Sequence, residues 1–374
     1  MSGITITGLS VFTVAIPVKT VRRQGSGDVS DKAGVVIVKI DTDAGITGWG
    51  EAAPWPVFTG TAEACVGALH VHLRPLLIGA DPFRIEWLMA GAEKTVVHAT
   101  EAKAAMEMAL FDIMGKALKT PVYNLLGGAY RSEIPLSFSI ANPDIDADIE
   151  IAKELCATGH RIFKVKTGFA GHAEDIRRLE KLRTELPGDV DIRVDYNQGM
   201  DVFDAIIKLR DIEAFNPTFI EQPVPMDKVE ALAEITRALD TPVMADETVF
   251  SPSQALNVAA RRVVDLISIK VFKSGGMLRG KEIAAIADAA GISCYGGSMF
   301  ETGIAHLAGT HMIAATRNFP LGCEFYQAVY YLKEDLLAEP YPAKGGKVTV
   351  PDGPGLGIDV DEDRLAKYTV ERFD

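Results

Sequence analysis

The sequence predicts a parallel α/β barrel combined with a smaller α+β domain. From Ile134 onward, short apolar segments alternate with amphipathic helical segments, whereas a strand-rich region and then a helical region precede that point. Alternating strands and helices are typical of a parallel sheet, and strands followed by helices form an α+β unit. A chain of 374 residues is long enough for one large domain and a smaller companion.

The smaller domain is predicted from both ends of the chain. Apolar and polar residues alternate in ITITGLSVFTVAI, a loop rich in Gly and Arg runs from Val21 to Gly34, and the pattern is helical from about Thr61 to Leu126. The segment GGKVTVPDGPGLGIDV near the C-terminus predicts strands and turns again. We therefore expect the α+β domain over residues 1–130, completed by residues 340–374, and the barrel over residues 131–339.

The barrel prediction rests on eight strand candidates that helical segments separate. Eight parallel strands joined by helices are what a closed (β/α) barrel requires, and the active site of such a barrel lies at the carboxyl ends of its strands. The candidates are IPLSFSI, RIFKVKTG, DIRVDYN, PTFIEQP, PVMADE, DLISIK, ISCYGG and LGCEF.

Charge and cysteine content exclude several classes of function. The net charge of −13 repels nucleic acid and anionic membranes, and the chain contains no long Lys/Arg run that would create a local exception. Its four cysteines form no CxxC pair, so we expect buried, reduced thiols. No export signal and no apolar segment long enough for a membrane helix is visible, so we expect a cytoplasmic protein without nucleic acid or membrane partners.

Charged and polar residues follow the predicted barrel strands at regular intervals. Neighbouring groups are separated by 24 to 29 residues, about one strand-helix unit, so we expect these side chains to converge at one mouth of the barrel. Unpaired charges are costly in a partly closed site, which favours a function for the ordered set over chance. The set consists of Lys164, Lys166, Asp195, Asn197, Glu221, Asp246, Glu247 and Lys270.

The residue types in this set point to proton abstraction next to a carboxylate. Asp195, Glu221 and Asp246 offer three hard oxygen ligands of the kind that Mg²⁺ prefers, and such a metal stabilises the charge that develops as the proton leaves. Lys166 and Lys270 are predicted on opposite sides of the ring as proton carriers. Lys164 shares a strand face with Lys166, so its like charge should lower the pKa of that neighbour.

At these residues the sequence resembles the enolase superfamily, and within it the muconate lactonizing enzyme subgroup. The resemblance covers nearly the whole chain and includes GITGWGEA, FDIMGKAL, LLGG and PDGPGLG outside the barrel. Within the barrel it is carried by FKVKTG, VDYNQ, FIEQP, MADE, SIKVFKSGG, YGGSMFETGIAHLA and GCEF.

The resemblance implies a modified (β/α)7β barrel with an α+β capping domain and one essential Mg²⁺ or Mn²⁺. It implies metal ligation by Asp195, Glu221 and Asp246, acid/base roles for Lys166 and Lys270, and support of these groups by Lys164, Asn197 and Glu247. Glu301 matches a position near the substrate in the subgroup; a structural role as the partner of a lysine is the alternative. The substrate-binding candidates are Arg22, Arg23, Glu301 and Phe325.

The substrate within the subgroup is predicted less directly. The Glu-aromatic pair in GCEF favours muconate cycloisomerase, although ETG after Phe300 and YQA after Phe325 depart from that pattern. The alternatives are an epimerase, racemase or dehydratase of an amino acid, N-acylamino acid or proline derivative, and a barrel that binds without catalysis. A dipeptide epimerase is disfavoured because DxD is absent from the eighth strand. We expect a small carboxylate substrate, a homo-oligomer, and a mobile lid formed by Val21 to Gly27.

Overall fold

A computed structural model of the protein describes residues 2–29 and 31–374. The first part of the chain forms strands β1 to β5 and then helices α1 to α5, with a π-helical segment at Gly67–Leu73 between the first two helices. The strands are β1 (Ile6–Pro17), β2 (Arg22–Gln24), β3 (Gly27–Val29), β4 (Lys32–Thr42) and β5 (Thr47–Ala52). The helices are α1 (Ala62–Val66), α2 (Arg74–Leu77), α3 (Ile85–Thr95), α4 (Thr100–Leu118) and α5 (Val122–Leu125).

The middle of the chain alternates between strands and helices, as the sequence predicts. Its strands are β6 (Glu133–Pro135), β7 (Phe138–Ile140), β8 (Ile162–Lys166), β9 (Asp191–Asp195), β10 (Ile220–Glu221), β11 (Val243–Ala245), β12 (Leu266–Ile269) and β13 (Ser293–Gly296). Its helices are α6 (Ile145–Ala157), α7 (His172–Glu185), α8 (Ala205–Glu213), α9 (Val229–Ala238), α10 (Pro252–Arg261), α11 (Val271–Ser274), α12 (Met277–Ala289) and α13 (Gly303–Ala314).

The last part of the chain returns to both earlier parts. After a π-helical segment at Gln327–Tyr331, it contains β14 (Ala343–Lys344), β15 (Lys347–Thr349), α14 (Glu362–Tyr368) and β16 (Thr369–Phe373). Strand β15 pairs with β6 and with β14, and β16 pairs with β1. The order β16-β1-β4-β5 then forms an antiparallel sheet on which helix α4 packs.

Strands β7 to β13 form a seven-stranded parallel sheet in chain order, which confirms the predicted α/β class. The eighth predicted strand, LGCEF, is reduced to single bridges: Cys323 pairs with Leu136 on one side and with Gly296 on the other. Because both edges of the sheet bond to the same segment, the sheet curls and closes there. The carboxyl ends of all these strands therefore face one mouth, which places the strand-end residues together.

The glycines of the segment GWGEA let a helix approach a strand closely. A Cβ atom at Gly50 would lie 1.9 Å from the carbonyl oxygen of Ala105, and one at Gly48 would lie 2.1 Å from that of Ala109. No side chain larger than hydrogen fits these distances, so the two glycines allow α4 to lie directly on β5.

The predicted loop from Val21 to Gly34 is partly a hairpin. Strands β2 and β3 pair antiparallel, and alternation along β2 buries Arg22 and Gln24 and exposes Arg23. A Cβ at Gly25 would lie 2.2 Å from the carbonyl oxygen of Tyr196, so the hairpin tip packs backbone to backbone on the segment after β9. In this structure the predicted lid lies closed over the barrel mouth; its mobility stays a prediction, and Ser30 lies outside the described residues.

The structure also bears on the cysteines and on membrane-spanning helices. All four cysteines are buried and free, as predicted. Over the described residues, no helix has the length and apolar character needed to cross a membrane.

Candidate active site

A cavity lies at the carboxyl ends of the barrel strands, beneath the hairpin of β2 and β3. It is narrow, with about 20 Å³ accessible to water, and both candidate proton carriers, Lys166 and Lys270, line it. Its lining is mainly polar and charged, with a few apolar side chains. The other lining residues are Arg22, Gln24, Ser139, Ala141, Asn197, Ser298, Met299, Phe300, Glu324, Tyr326 and Gln327.

Lys166, the last residue of β8, is held at its tip by two acceptors. Its Nζ donates to Asp195 Oδ2 at 2.5 Å and to Asn197 Oδ1 at 2.8 Å. Asn197 has a positive φ of 42° and donates from Nδ2 to Glu247 Oε1 at 3.3 Å, so it links the lysine to a buried acid. This arrangement fixes the position of Nζ at the cavity wall.

Lys164 lies deeper in the barrel and neutralises acidic side chains. Its Nζ is 2.6 Å from Glu221 Oε2, 2.6 Å from Glu324 Oε2 and 3.0 Å from Asp195 Oδ2. Burial alone would lower the pKa of Lys164, but the charges of Asp195, Glu221 and Glu324 raise it well above its ordinary value. These carboxylates therefore favour the charged form of Lys164 beside Lys166; its predicted effect on that neighbour stays a prediction.

Lys270 follows β12 on the other side of the cavity. Its Nζ forms an ion pair with Asp246 Oδ2 at 2.8 Å, and the ring of Phe58 lies 4.5 Å from it. Burial lowers the pKa of Lys270, but the charges of Asp246 and Glu247 outweigh burial and raise it above the ordinary value. Strands β9, β10 and β11 separate this lysine from Lys166.

The three candidate metal ligands lie at the ends of neighbouring strands. Glu221 is paired with Asp195 across β10 and β9, and Asp246 directly follows β11. Burial, followed by the negative charges of Asp195 and Asp246, raises the pKa of Glu221 to about 8. The three carboxylates are therefore close enough to repel one another, which a divalent cation would offset.

The donor set fits a divalent metal, although lysines hold the carboxylates in this structure. Among the described residues, no group of three or more His, Cys, Asp and Glu side chains is already arranged to hold a metal ion. At this site, within the described residues, two buried carboxylate oxygens have neither a hydrogen-bond nor an ion-pair partner: Glu221 Oε1 and Glu247 Oε2. Asp246 Oδ2 has a single partner, the ammonium of Lys270 at 2.8 Å. Unsatisfied hard oxygens of this kind suit Mg²⁺ or Mn²⁺.

The two candidate arginines have different environments. Arg22 is only 2% exposed, and its guanidinium lies 5.0 to 5.3 Å from the rings of Phe138, Tyr326 and Tyr331. It donates from Nη1 to the carbonyl oxygen of Ser139. The side chain of Arg23 is 45% exposed and pairs with Asp28 at 2.9 Å, so the alternation of β2 points it away from the cavity. Only Arg22 lines the cavity.

The other two substrate-binding candidates, Phe325 and Glu301, do not line the cavity. Phe325 points away from the cavity and stacks on His306, with ring centroids 5.3 Å apart, because its neighbour Glu324 takes the inward position. Glu301 does not line the cavity and does not pair with a lysine. Its Oε2 accepts from Ser298 Oγ and from the Met299 N–H, both at 2.6 Å.

Sequence reasoning missed two charged residues of the site. Glu324 lies in the segment GCEF and binds Lys164 and Ser139, the latter at 2.9 Å. Lys273 in α11 is buried and donates to Asp246 Oδ1 at 2.8 Å. Lys273 lies three residues after Lys270 in the motif SIKVFKSGG, which carries the family resemblance. This spacing could have identified it as a site residue.

Comparison with known proteins covers almost the whole chain. Residues 7–127 match the N-terminal domain of the mandelate racemase / muconate lactonizing enzyme family, and residues 147–364 match the enolase C-terminal domain-like family. The crystal structure of a muconate cycloisomerase from Azorhizobium caulinodans superimposes with a TM-score of 0.86 at 45% sequence identity, covering 98% of this chain and 99% of that one.

Three curated relatives are similar to about the same degree but differ in activity. Muconate cycloisomerase 1 of Rhodococcus opacus is 33% identical, covering 96% of this chain and 98% of its own. N-succinyl-L-Arg/Lys racemase of Bacillus cereus is 34% identical, covering 98% of both chains. L-Ala-D/L-Glu epimerase of Bacillus subtilis is 35% identical, covering 86% of this chain and 88% of its own. The chain belongs to the mandelate racemase / muconate lactonizing enzyme family, within the enolase superfamily.

Proposed function

We propose that this protein is an isomerase that moves a proton to or from the carbon next to a carboxylate, with Lys166 and Lys270 as the proton carriers. The observation that supports this most directly is that both lysines line one closed cavity above three buried carboxylates. Because three strands separate the two lysines, they reach a carbon acid in the cavity from different sides.

Neighbouring side chains hold the Nζ atom of each lysine at a defined position, from which it can exchange a proton with a substrate. Asp195 and Asn197 orient the Nζ of Lys166, and Asp246 with the Phe58 ring orients the Nζ of Lys270. Arg22 and Gln24 of the hairpin cover the cavity, and shielding a site from water strengthens the electrostatic interactions inside it. Arg22, also in the cavity wall, offers a positive group for the end of the substrate that does not react.

Asp195, Glu221 and Asp246 would hold a Mg²⁺ or Mn²⁺ ion. When bound, this ion supplies positive charge that stabilises the negative charge developing on the substrate carboxylate. The carboxylate oxygen of Glu221 that has no partner, Oε1, supports this assignment. We further propose that the substrate is a small carboxylate. We also propose that the protein forms a homo-oligomer, and sedimentation analysis would measure the number of its subunits.

Cycloisomerisation of a muconate-type dicarboxylate is the first candidate reaction. The 45% identity to the muconate cycloisomerase from A. caulinodans supports it. In this reaction Lys166 exchanges the α-proton while the lactone oxygen adds or leaves. The test follows the diene ultraviolet absorbance of cis,cis-muconate with the Mg²⁺-loaded protein. Loss of absorbance is expected; an unchanged spectrum at high protein concentration would exclude this candidate.

Racemisation, epimerisation or dehydration of an amino acid or proline derivative is the second candidate. The specific observation that favours it is the presence of two lysines in one cavity, since racemisation needs a proton carrier on each side of the carbon. A panel of such acids in D₂O, followed by mass spectrometry, tests it. Deuterium entering the α-carbon without lactone formation would support this candidate over the first.

A further inference from the structure

One wall of the cavity, beside Lys270, carries a hydroxyl group with an unusually complete set of buried partners. Ser298 lines the cavity two residues after β13, and its neighbour Gly297 packs against the side chain of Lys270, where a Cβ would lie 2.9 Å from Cε. Ser298 Oγ lies 2.6 Å from Glu301 Oε2, 3.0 Å from Gln327 Oε1 and 3.4 Å from His306 Nε2. All four of these side chains are buried.

The orientation of the Gln327 side chain is fixed by two backbone groups. Its Nε2 donates to the carbonyl oxygen of Met299 at 2.8 Å, and its Oε1 accepts from the N–H of Tyr326 at 3.2 Å. A flipped amide would place a donor against a donor and an acceptor against an acceptor. The atom that faces Ser298 is therefore an oxygen.

The single hydrogen of Ser298 has two acceptors to choose from, and the carboxylate is the better one. Glu301 Oε2 is 0.4 Å closer to Ser298 Oγ than Gln327 Oε1 is, and a hydrogen bond to a charged oxygen is stronger than one to an amide oxygen. Burial raises the pKa of Glu301, but His306 and Ser298 outweigh burial and keep the pKa below its ordinary value. The hydroxyl hydrogen therefore points at Glu301.

His306 contacts both Ser298 and Glu301 on the side away from the cavity. Within the described residues its Nδ1 has no hydrogen-bond partner, whereas Nε2 faces both Ser298 and Glu301. A neutral ring with its hydrogen on Nε2 leaves no buried N–H unsatisfied, because Nε2 then donates towards these two oxygens. Ser298 Oγ thus donates its hydrogen to Glu301 and retains a lone pair for the cavity.

We infer that Ser298 is a specificity-determining residue that presents a fixed hydrogen-bond acceptor beside Lys270, and that Glu301 positions it. The substrate group that Ser298 fits is an N–H or O–H donor carried on the reacting carbon. The inference rests on the proposed function and separates its two candidate reactions. A muconate-type dicarboxylate has no such donor when both carboxylates are ionised and would leave the acceptor unpaired, whereas amino acid derivatives carry one.

The test compares two probes of the same shape, N-acetyl-L-alanine and its ester counterpart O-acetyl-L-lactate. They differ in one group, an N–H in place of an ester oxygen. Their binding to the Mg²⁺-loaded protein is measured by calorimetry, so the result does not depend on turnover. Wild type is expected to bind the amide about tenfold or more tightly than the ester, the size expected where loss of a donor leaves a buried acceptor unpaired.

Three variants locate the effect. Ser298→Ala is expected to weaken binding of the amide and leave that of the ester, which reduces the ratio to near one. Glu301→Gln, with Ser298 intact, should also reduce the ratio because the hydroxyl is no longer held by a charge. Ser253→Ala is the control, since it removes an exposed hydroxyl in α10, outside the cavity, and should leave both affinities unchanged.

Three binding results would contradict the inference. Equal binding of the two probes by wild type, no binding of the amide, or an equal loss for both probes in Ser298→Ala would overturn it. Thermal melting of each variant shows whether the fold is retained; if Ser298→Ala does not fold, Glu301→Gln decides by the same ratio. Absence of α-carbon exchange with every carboxylate, despite selective binding of the amide, would instead refute the proposed function and leave this inference standing.

Discussion

The ammonium of Lys164 lies 2.6 Å from a carboxylate oxygen of Glu324, which ties the second barrel strand to the segment that closes the barrel. Both side chains are almost fully buried. Glu324 is one of three buried carboxylates around Lys164, and it also accepts the hydroxyl hydrogen of Ser139.

Replacing Glu324 with Ala should therefore lower the free energy of unfolding by about 1 to 3 kcal/mol, because the buried hydroxyl of Ser139 loses its acceptor while Lys164 keeps two carboxylates. Urea denaturation measures it. The matched control is Glu362→Ala, which removes an exposed partner of Lys39 and should change the stability little. Equal stability losses in the two variants would show that the Lys164–Glu324 pair does not hold the barrel closed.

Metal binding should depend on the three strand-end carboxylates. Titration calorimetry of the wild-type protein with Mg²⁺ or Mn²⁺ is expected to give one ion per chain. Asp195→Asn, Glu221→Gln and Asp246→Asn should each remove measurable binding, because each deletes a charged oxygen ligand. A wild-type protein without stoichiometric binding would favour the alternative of a barrel that binds ligands without catalysis.

The two neighbouring arginines of the hairpin provide an internal comparison. Arg22→Gln should lower kcat/KM by about 10- to 100-fold, mainly through KM, because a charge-assisted hydrogen bond to the substrate is lost. Arg23→Ala removes a solvent-exposed partner of Asp28 and should leave the kinetics unchanged. Steady-state kinetics with the substrate that the D₂O screen identifies checks both; similar effects for the two variants would reject the assignment.

A buried acid outside the cavity makes the stability depend on pH. Glu107 in α4 accepts hydrogen bonds from the N–H groups of Met277 and Leu278, and burial raises its pKa to about 8. The folded protein therefore holds a proton that the unfolded chain releases above its ordinary pKa of about 4.5, so this contribution to stability is lost as pH rises towards 8.

Glu107→Gln cannot ionise and should remove that part of the pH dependence. Between pH 5 and pH 8, the wild-type free energy of unfolding should fall by a few kcal/mol more than that of the variant, since each unit of pKa difference corresponds to about 1.4 kcal/mol. Urea denaturation at the two pH values measures the difference. Parallel pH profiles would mean that Glu107 is already ionised at neutral pH.

The strand-end residues of the barrel could be predicted because topology alone places them. Asp195 ends β9, Glu221 ends β10 and Asp246 follows β11, and parallel strands bring their carboxyl ends to one mouth. The spacing of the sequence was therefore sufficient to predict which residues meet.

It was harder to predict which side chains face the cavity where this depends on the local alternation of the backbone. The segment at Cys323 forms only single bridges, so no strand pattern in the sequence shows that Glu324 faces inward and Phe325 outward. Arg22 and Arg23 were indistinguishable until the hairpin fixed which one is buried. The partners of Glu301 lie on two different segments, around Ser298 and His306, and such a side-chain network is a tertiary property that periodicity does not encode.

The most direct test of the central claim measures proton exchange at the α-carbon in D₂O with Mg²⁺ present. With a substrate found in the screen, wild-type protein should introduce deuterium, and Lys166→Ala should lose at least about 10²-fold of that rate, as expected for a positioned acid or base. Lys347→Ala, which alters a solvent-exposed ion pair with Glu133, is the control and should exchange at the wild-type rate. A near-wild-type exchange rate in Lys166→Ala, with metal binding intact, would contradict the account.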